Sequence, residues 1–156
     1  MKYTVAIEID LPRDRVVELL ADPAYLPHWL RGLVSHEPVS GVHGQEGTVS
    51  RVVLSSGGQR MEATETVTRR ELAGDVMYYE RELAGAGMWN AARERLTASG
   101  PASTRWVSEN EFRFDGLMMR LVGLLMPGTF RKQSLQHMHD FKAFAEHGRD
   151  VRDPNS

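Results

Sequence analysis

The chain has 156 residues, a formal net charge of −2 and a charged fraction of 26%, so it has the length of about one domain and no excess of positive charge. A chain of this length is expected to bury one sizeable core, and its charge argues against a nucleic-acid-binding surface. The absence of cysteine excludes disulfides, thiolate nucleophiles and thiolate metal sites. These features predict a single-domain cytoplasmic protein that does not bind nucleic acid.

The first stretch of the chain predicts one strand followed by two short helices. Apolar residues fall at every second position over residues 3–9, which is typical of a half-buried strand and unlike the unbroken apolar core of a signal peptide. Pro12 suits the first turn of a helix, where its missing N–H needs no partner. Residues 22–30, DPAYLPHWL, are too rich in proline for more than one or two helical turns. We expect Tyr25 and Trp29 to anchor these turns on the core.

Six further strands are predicted between residues 33 and 114, where the hydrophobic period is two and turns containing glycine recur. They cover residues 33–38, 47–55, 60–70, 76–83, 88–98 and 104–114. Their links are too short for the crossovers that parallel neighbours need, so the strands must be antiparallel. Together with the first strand they predict a seven-stranded antiparallel sheet.

The last part of the chain has the pattern of a helix. Apolar residues follow helical spacing from Phe114 to about His147, with one interruption near Pro127. We predict one long C-terminal helix that is kinked or broken at this proline. The polar residues 148–156 are expected to form a frayed tail, which leaves a single domain over residues 1–147.

This order of one strand, two short helices, six antiparallel strands and a long final helix resembles the START-related SRPBCC superfamily. That superfamily includes polyketide cyclase/dehydrase-like, birch-pollen-allergen-like and coenzyme Q-binding proteins. The likeness is strongest in IEIDLPRDRVVELLADPAYLPHW, residues 7–29, and in FRKQSLQHMHDFKAFAEHG, residues 130–148. The resemblance implies an α+β helix-grip fold, in which a curved sheet wraps around the final helix and encloses a cavity for a hydrophobic molecule. The two short helices would then close one end of the sheet.

Alternation along the strands indicates which polar side chains share a face with apolar ones. Glu65, Arg81 and Glu94 each fall on an apolar face. Unpaired charges inside an apolar wall are costly, so these residues would need one another, a ligand or water. The alternative is that they lie near the solvated ends of long strands. The residues predicted to line the cavity are Met61, Glu65, Met77, Tyr79, Arg81, Asn90, Trp106, Asn110, Phe112, Leu121, His137 and Phe141.

The sequence carries no Walker loop, serine elbow, zinc-binding histidine pair or dinucleotide fingerprint, so we expect no metal and no cofactor. The resemblance implies binding or transport of a lipid-like or polycyclic, polyketide-like molecule, and this interpretation is favoured over an enzyme. The first alternative is a cyclase or aromatase, a cyclase/dehydratase that uses the same cavity. Glu65, Arg81, Tyr79 and His137 are the inward candidates for its acid or base. The second alternative is a protein-interaction module of the coenzyme Q-binding type.

Residues 116–128, GLMMRLVGLLMPG, are apolar on nearly every side of a helix except at Arg120. The run is too short to span a bilayer, so no membrane span is expected. Because a sheet can bury only one side of such a helix, we expect the rest to face the cavity mouth, a loop or a second subunit, as in a homodimer. Gly123 and Pro127 weaken helical structure in this segment.

We predict that residues 116–128 form a mobile gate. Because their helix is weakened, their backbone amides should exchange hydrogen faster than those of residues 133–145 in the ligand-free protein, as measured by hydrogen exchange and mass spectrometry. Equally slow exchange across both segments would identify residues 116–128 as ordinary core.

Overall fold

A seven-stranded antiparallel sheet forms the body of the computed structural model, which describes residues 1–155. Its strands are β1 (Lys2–Ile9), β2 (Leu33–Ser40), β3 (Val49–Ser56), β4 (Gln59–Ala73), β5 (Val76–Gly85), β6 (Met88–Gly100) and β7 (Ser103–Phe114). In space they follow the order β1-β7-β6-β5-β4-β3-β2, so only β1 pairs with a strand far from it in sequence. The predicted seven-stranded antiparallel sheet is confirmed, with each predicted strand within a few residues of its observed bounds.

The two short helices after β1 are also confirmed. Helix α1 (Arg13–Ala21) buries its apolar side, and a 3₁₀ turn (Pro23–Tyr25) leads into the single helical turn α2 (Leu26–Trp29). The Asp22 carboxylate accepts a hydrogen bond of 2.9 Å from the backbone N–H of Ala24, which satisfies a free donor at the start of the turn. These helices therefore follow from local capping and proline placement together with one buried face.

The C-terminal helix is broken at the predicted position. Helix α3 (Leu117–Leu125) ends at Met126, which has a non-helical backbone, and helix α4 (Pro127–His147) begins at the next residue. None of the helices in residues 1–155 is both long enough and apolar enough to cross a membrane. The C-terminal part of the chain thus contains a short apolar helix followed by a long helix of 21 residues.

Gly148 ends α4 in the left-handed conformation, with φ of 67°, which glycine adopts without steric cost. The chain then turns back to α2, where the N–H of Val151 donates to the carbonyl of His28 at 2.9 Å. The His28 ring lies 2.7 Å from the Asp150 carboxylate. Residues 149–151 are therefore held against α2. For the residues after them the frayed tail stays a prediction, and Ser156 lies outside the described residues.

The core lies where α4 crosses the helices after β1 and the inner face of the sheet. Phe141 is fully buried and makes edge-on contacts with Trp29 and Trp106, at ring-centroid distances of 5.2 and 5.3 Å. Tyr25 is half-buried and packs against Phe144. Trp29 and Tyr25 thus anchor the short helices as expected from the sequence.

The two ends of the sheet carry different helices. At one end, Leu20 and Pro23 of the α1 region lie beside Gly44 in the β2–β3 loop. At the other end, which we call the α3 end, the β5–β6 turn at Gly87 accepts a hydrogen bond from the N–H of Asp115, just before α3. The two ends of the sheet are therefore covered by different helices, α1 at one end and α3 at the other.

Candidate functional site

A cavity of about 720 Å³ lies between the sheet and helices α2, α3 and α4. Its volume falls within the range of small-molecule sites, roughly 300–1,000 Å³. The cavity reaches the α3 end, where Gln59, Arg60 and Ala86 line it and are exposed to solvent. This end is therefore its mouth, and Met119 and Val122 of α3 lie beside it.

The wall of the cavity combines apolar side chains with neutral polar groups and with the charged residues Arg31, Arg60, Glu65, Arg81 and Glu94. The polar residues without charge are Ser55, Ser56, Gln59, Asn90, Ser108, Asn110, Gln133 and Ser134. Asn110 donates to the Ser108 hydroxyl at 2.9 Å, and Asn90 donates to the carbonyl of Glu111 at 3.1 Å. Amides and hydroxyls can each donate and accept, so this wall suits a ligand that carries hydroxyl or carbonyl groups.

Eight of the residues predicted from the sequence border the cavity. They are Met61, Glu65, Arg81, Asn90, Trp106, Asn110, Phe112 and His137. Seven lie on β4 to β7, where strict alternation sets the inward face, and one lies on α4. Their roles in ligand binding remain predictions.

Four predicted residues do not border the cavity, and this corrects the prediction for them. Phe141 is fully buried between two tryptophans, and Met77 packs against the same core. Tyr79 is 6% exposed and borders a separate small pocket. Leu121 is 48% exposed on the outer side of α3, because that helix turns Met119 and Val122 towards the cavity instead.

A chain of charged side chains crosses the inner face of the sheet at the cavity's closed end. Arg81 on β5 donates from Nη2 to Glu94 Oε1 on β6 at 3.1 Å, and its Nη1 lies 3.8 Å from Glu65 Oε2 on β4. Glu94 Oε2 also accepts a 2.6 Å hydrogen bond from the indole N–H of Trp106. Glu65 Oε1 lies 3.1 Å from Nε2 of His36 on β2. We call these five residues the ion network.

The ion network is buried, so the alternative of solvated strand ends is wrong. The exposed fractions of the side chains are 3% for Glu94, 8% for His36, 17% for Glu65 and 23% for Arg81. The charges are thus paired with one another inside the protein. In residues 1–155 no three histidine, aspartate or glutamate side chains are grouped so that they could hold a metal ion.

Sequence reasoning missed His36 and weighed Glu94 only as a partner for Arg81. Glu94 falls on the inward face of β6, which alternation shows. His36 lies on β2, whose pairing with β3 shifts register between Leu33 and Ser35 and again between Pro38 and Ser40. Such irregularities break the period of two, so the only available signal was a histidine in an otherwise apolar strand start.

Burial and neighbouring charges set the protonation states of Glu65, Tyr79 and His137. Burial by itself would raise the pKa of Glu65, but the hydrogen bond with His36 and the charge of Arg81 outweigh it and lower that pKa. Burial raises the pKa of Tyr79 and lowers the pKa of His137. At neutral pH Glu65 is therefore a carboxylate, Tyr79 a phenol and His137 a neutral imidazole.

Two nitrogens of the network are buried without a hydrogen-bond partner in the described residues 1–155: Nε of Arg81 and Nδ1 of His36. A buried polar atom left unpaired costs about 1–3 kcal/mol, and buried ion pairs add little net stability in return. Glu65 and Arg81 border both the large cavity and a pocket of about 20 Å³ next to α1. A costly charge network that also forms a cavity wall is a feature of functional sites.

These features define a helix-grip protein with an internal cavity of about 720 Å³, and the sequence comparison agrees with this class. Residues 1–146 match the family described as polyketide cyclase / dehydrase and lipid transport. The chain belongs to this family. No curated protein matches its sequence.

Solved structures confirm the helix-grip fold at low sequence identity. The protein TTHA0849 from Thermus thermophilus is 16% identical, with a TM-score of 0.75 over 95% of this chain and 99% of that one. The Zhui aromatase/cyclase from Streptomyces sp. R1128 is 16% identical, with a TM-score of 0.74 over 94% of this chain and 93% of that one. Norcoclaurine synthase from Thalictrum flavum, in complex with dopamine and hydroxybenzaldehyde, is 16% identical, with a TM-score of 0.65 over 94% and 87%. Identities this low establish a shared fold and nothing finer.

We predict that Glu65 contributes to the acid sensitivity of the fold. Its folded-state pKa lies below the ordinary value of 4.5, so its contribution to stability is full above that pH and is lost as pH falls through the folded pKa. Glu65→Gln should therefore flatten the decline of the free energy of unfolding below about pH 4.5, measured by urea denaturation at several pH values.

The matched control is Glu62→Gln on the same strand. The Arg51 hydrogen bond also lowers the pKa of Glu62, but this pair is more than half exposed and contributes little. Glu62→Gln should therefore leave the acid slope near that of the unsubstituted protein. An equal flattening in both variants would contradict the special position of Glu65.

Proposed function

We propose that the protein binds or carries a hydrophobic small molecule with an uncharged polar end in the 720 Å³ cavity. The observation that carries this proposal is the combination of a cavity of ligand size with a wall that is mostly apolar, carries amides and hydroxyls, and has its buried charges paired with one another. The polar end would lie towards Asn90, Ser108 and Asn110 on the sheet. The apolar part would lie towards Met61, Met88 and the mouth.

The charge state of the ion network argues for an uncharged ligand. Arg81 already faces two carboxylates, so it is not free to neutralise a ligand anion. Both carboxylates are already paired with Arg81, so a ligand cation would have to compete with that arginine for them. A buried charge without a partner costs several kcal/mol, so a neutral ligand with hydroxyl or carbonyl groups fits this wall best.

We predict that the purified protein takes up the neutral dye Nile red and releases it to neutral competitors. In two matched pairs, 1-hexadecanol should displace the dye better than palmitate, and 2-naphthol better than 2-naphthoate, because only the carboxylates carry a charge into the cavity. Displacement is followed by dye fluorescence. Absence of dye uptake, or better displacement by the carboxylates, would overturn the proposal.

The location of the bound dye is tested by filling the cavity. Ala92 is 9% exposed and lines the cavity on β6, so Ala92→Phe should weaken dye binding by about tenfold or more. Thr64→Phe places the same ring on the exposed outer face of β4 and serves as the control. Equal binding by both variants would place the dye elsewhere.

A second candidate function is proton-transfer catalysis of the cyclase or dehydratase kind. It is supported by His137, which lines the same cavity and whose pKa is lowered by burial. A neutral imidazole in an apolar cavity can accept a proton from a carbon next to a carbonyl. Of the four candidates from the sequence, Glu65 and Arg81 are committed to the ion network and the raised pKa of Tyr79 keeps it protonated, so His137 is the candidate base.

We predict for this second function that the protein speeds deuterium uptake at the methylene carbon of benzoylacetone, followed by NMR in heavy water. His137→Gln should abolish the acceleration because no base remains near the bound diketone. His139→Gln, on the exposed side of α4 two residues away, should keep it. Equal rates for the two variants, or no acceleration by the unsubstituted protein, would leave ligand binding as the sole proposal.

A further inference from the structure

Helix α3 exposes a continuous apolar surface. Its exposed residues, together with the residue that follows it, are Leu117, Met118, Leu121, Leu124, Leu125 and Met126, with exposed fractions from 47% to 87%. At about 100° per residue, the five on the helix cover an arc of roughly 120°, with Arg120 at its edge. Large exposed apolar patches on soluble domains are typical of interaction sites. We call these six residues the α3 apolar face.

The inner side of α3 packs against the sheet and the cavity mouth. The α3 apolar face is therefore the outer side of a helix that is already packed. Met119 and Val122 line the cavity mouth. Gly123 lies against the Phe114 ring so closely that a Cβ there would be 2.5 Å from a ring carbon. The opposite side of the helix must therefore point away from the sheet.

The charged side chains between Gly116 and His139 are all positive, and the acidic residue Asp115 lies just before α3. Residues 116–139 contain Arg120, Arg131 and Lys132 and no aspartate or glutamate, although the whole chain has a net charge of −2. Arg131 and Lys132 are exposed, about 6–8 Å along α4 from its first residue. An apolar face flanked by cations is complementary to a lipid surface with anionic headgroups. A symmetric dimer through this face would set the same cations against one another.

We propose that the α3 apolar face docks the protein on an anionic lipid surface, with α3 lying in the interface plane. The nine-residue helix is far too short to cross the bilayer, but its leucines can enter the boundary between headgroups and acyl chains. Because Met119 and Val122 line the mouth on the other side of the same helix, docking brings the mouth of the cavity to the lipid surface. The docking surface goes beyond the proposed function and does not depend on what the cavity binds.

The proposal is tested by flotation of the full chain with two kinds of vesicle, one of phosphatidylcholine alone and one in which about a third of the lipid is phosphatidylglycerol. The protein should bind the anionic vesicles about tenfold more tightly, and the difference should shrink at high salt. Leu124→Asp should reduce binding to the anionic vesicles by about tenfold, since it puts a charge into the apolar face. Arg131→Gln with Lys132→Gln should remove most of the preference for anionic lipid.

Leu72→Asp is the matched control, because Leu72 is 53% exposed and lies on β4 beside Met77, at the sheet end away from α3. It should leave vesicle binding unchanged, and melting temperatures should show that all variants fold.

Failure of the unsubstituted protein to bind anionic vesicles, or equal losses in Leu72→Asp and Leu124→Asp, would overturn the proposal. So would a concentration-dependent dimer that Leu124→Asp dissociates and that binds no vesicles, since a second copy would then cover the face. Dye uptake into the cavity is unaffected by these outcomes, so the two proposals fail separately.

Discussion

The ion pair between Arg81 and Glu94 fixes where the cavity ends. Glu94 is 3% exposed, and it is held by the Arg81 guanidinium and by the indole of Trp106. Arginine cannot lose its proton in a protein, so a carboxylate must stay beside it wherever it is buried. These contacts join the inner faces of β5, β6 and β7 in one relative position. Glu65 adds β4 to the set of joined strands. Dense core lies beside this line of charges, and open cavity lies on the α3 side of it.

Helix α4 contributes to both the packed core and the cavity wall, because one inward-facing stripe of side chains runs along the helix. Phe130, Ser134 and His137 follow the spacing of three or four residues and line the cavity. The same stripe continues through Met138 and Phe141, which are almost completely buried. The helix meets core where β1 and the short helices after it pack against it, and nearer the mouth it faces open volume. Core and cavity are therefore consecutive parts of one packing surface, so a substitution in the core can reshape the cavity.

The helices and strands of the fold could be predicted from the sequence. Whether an inward-facing residue lies in the packed core or at the cavity could not. A period of two with short links left antiparallel pairing as the only choice, and Pro127 marked the break between α3 and α4. Periodicity reports which face of an element is apolar, but not whether core or cavity lies against it, which is why Phe141 was placed in the cavity. Leu121 was misplaced because α3 is apolar on nearly all sides, so the sequence does not show which side faces the cavity. His36 was missed because the irregular pairing of β2 breaks the alternation.

The two ends of the cavity differ in a way that would orient a ligand. Asn110 and Ser108 place buried polar groups on the sheet near the ion network, whereas the mouth is bordered by Met119 and Val122 of α3 and by the solvent-exposed side chains of Gln59 and Arg60. At the closed end, hydrogen bonds from the wall can replace the hydration that a polar end of a ligand loses, whereas an unpaired polar group in the apolar part costs more than a buried methylene returns. The ligand's apolar part is then left beside α3. If α3 lies in a lipid surface, the apolar part of the ligand has the cavity wall on one side and the lipid acyl chains on the other. Entry and release then need little exposure of apolar surface to water.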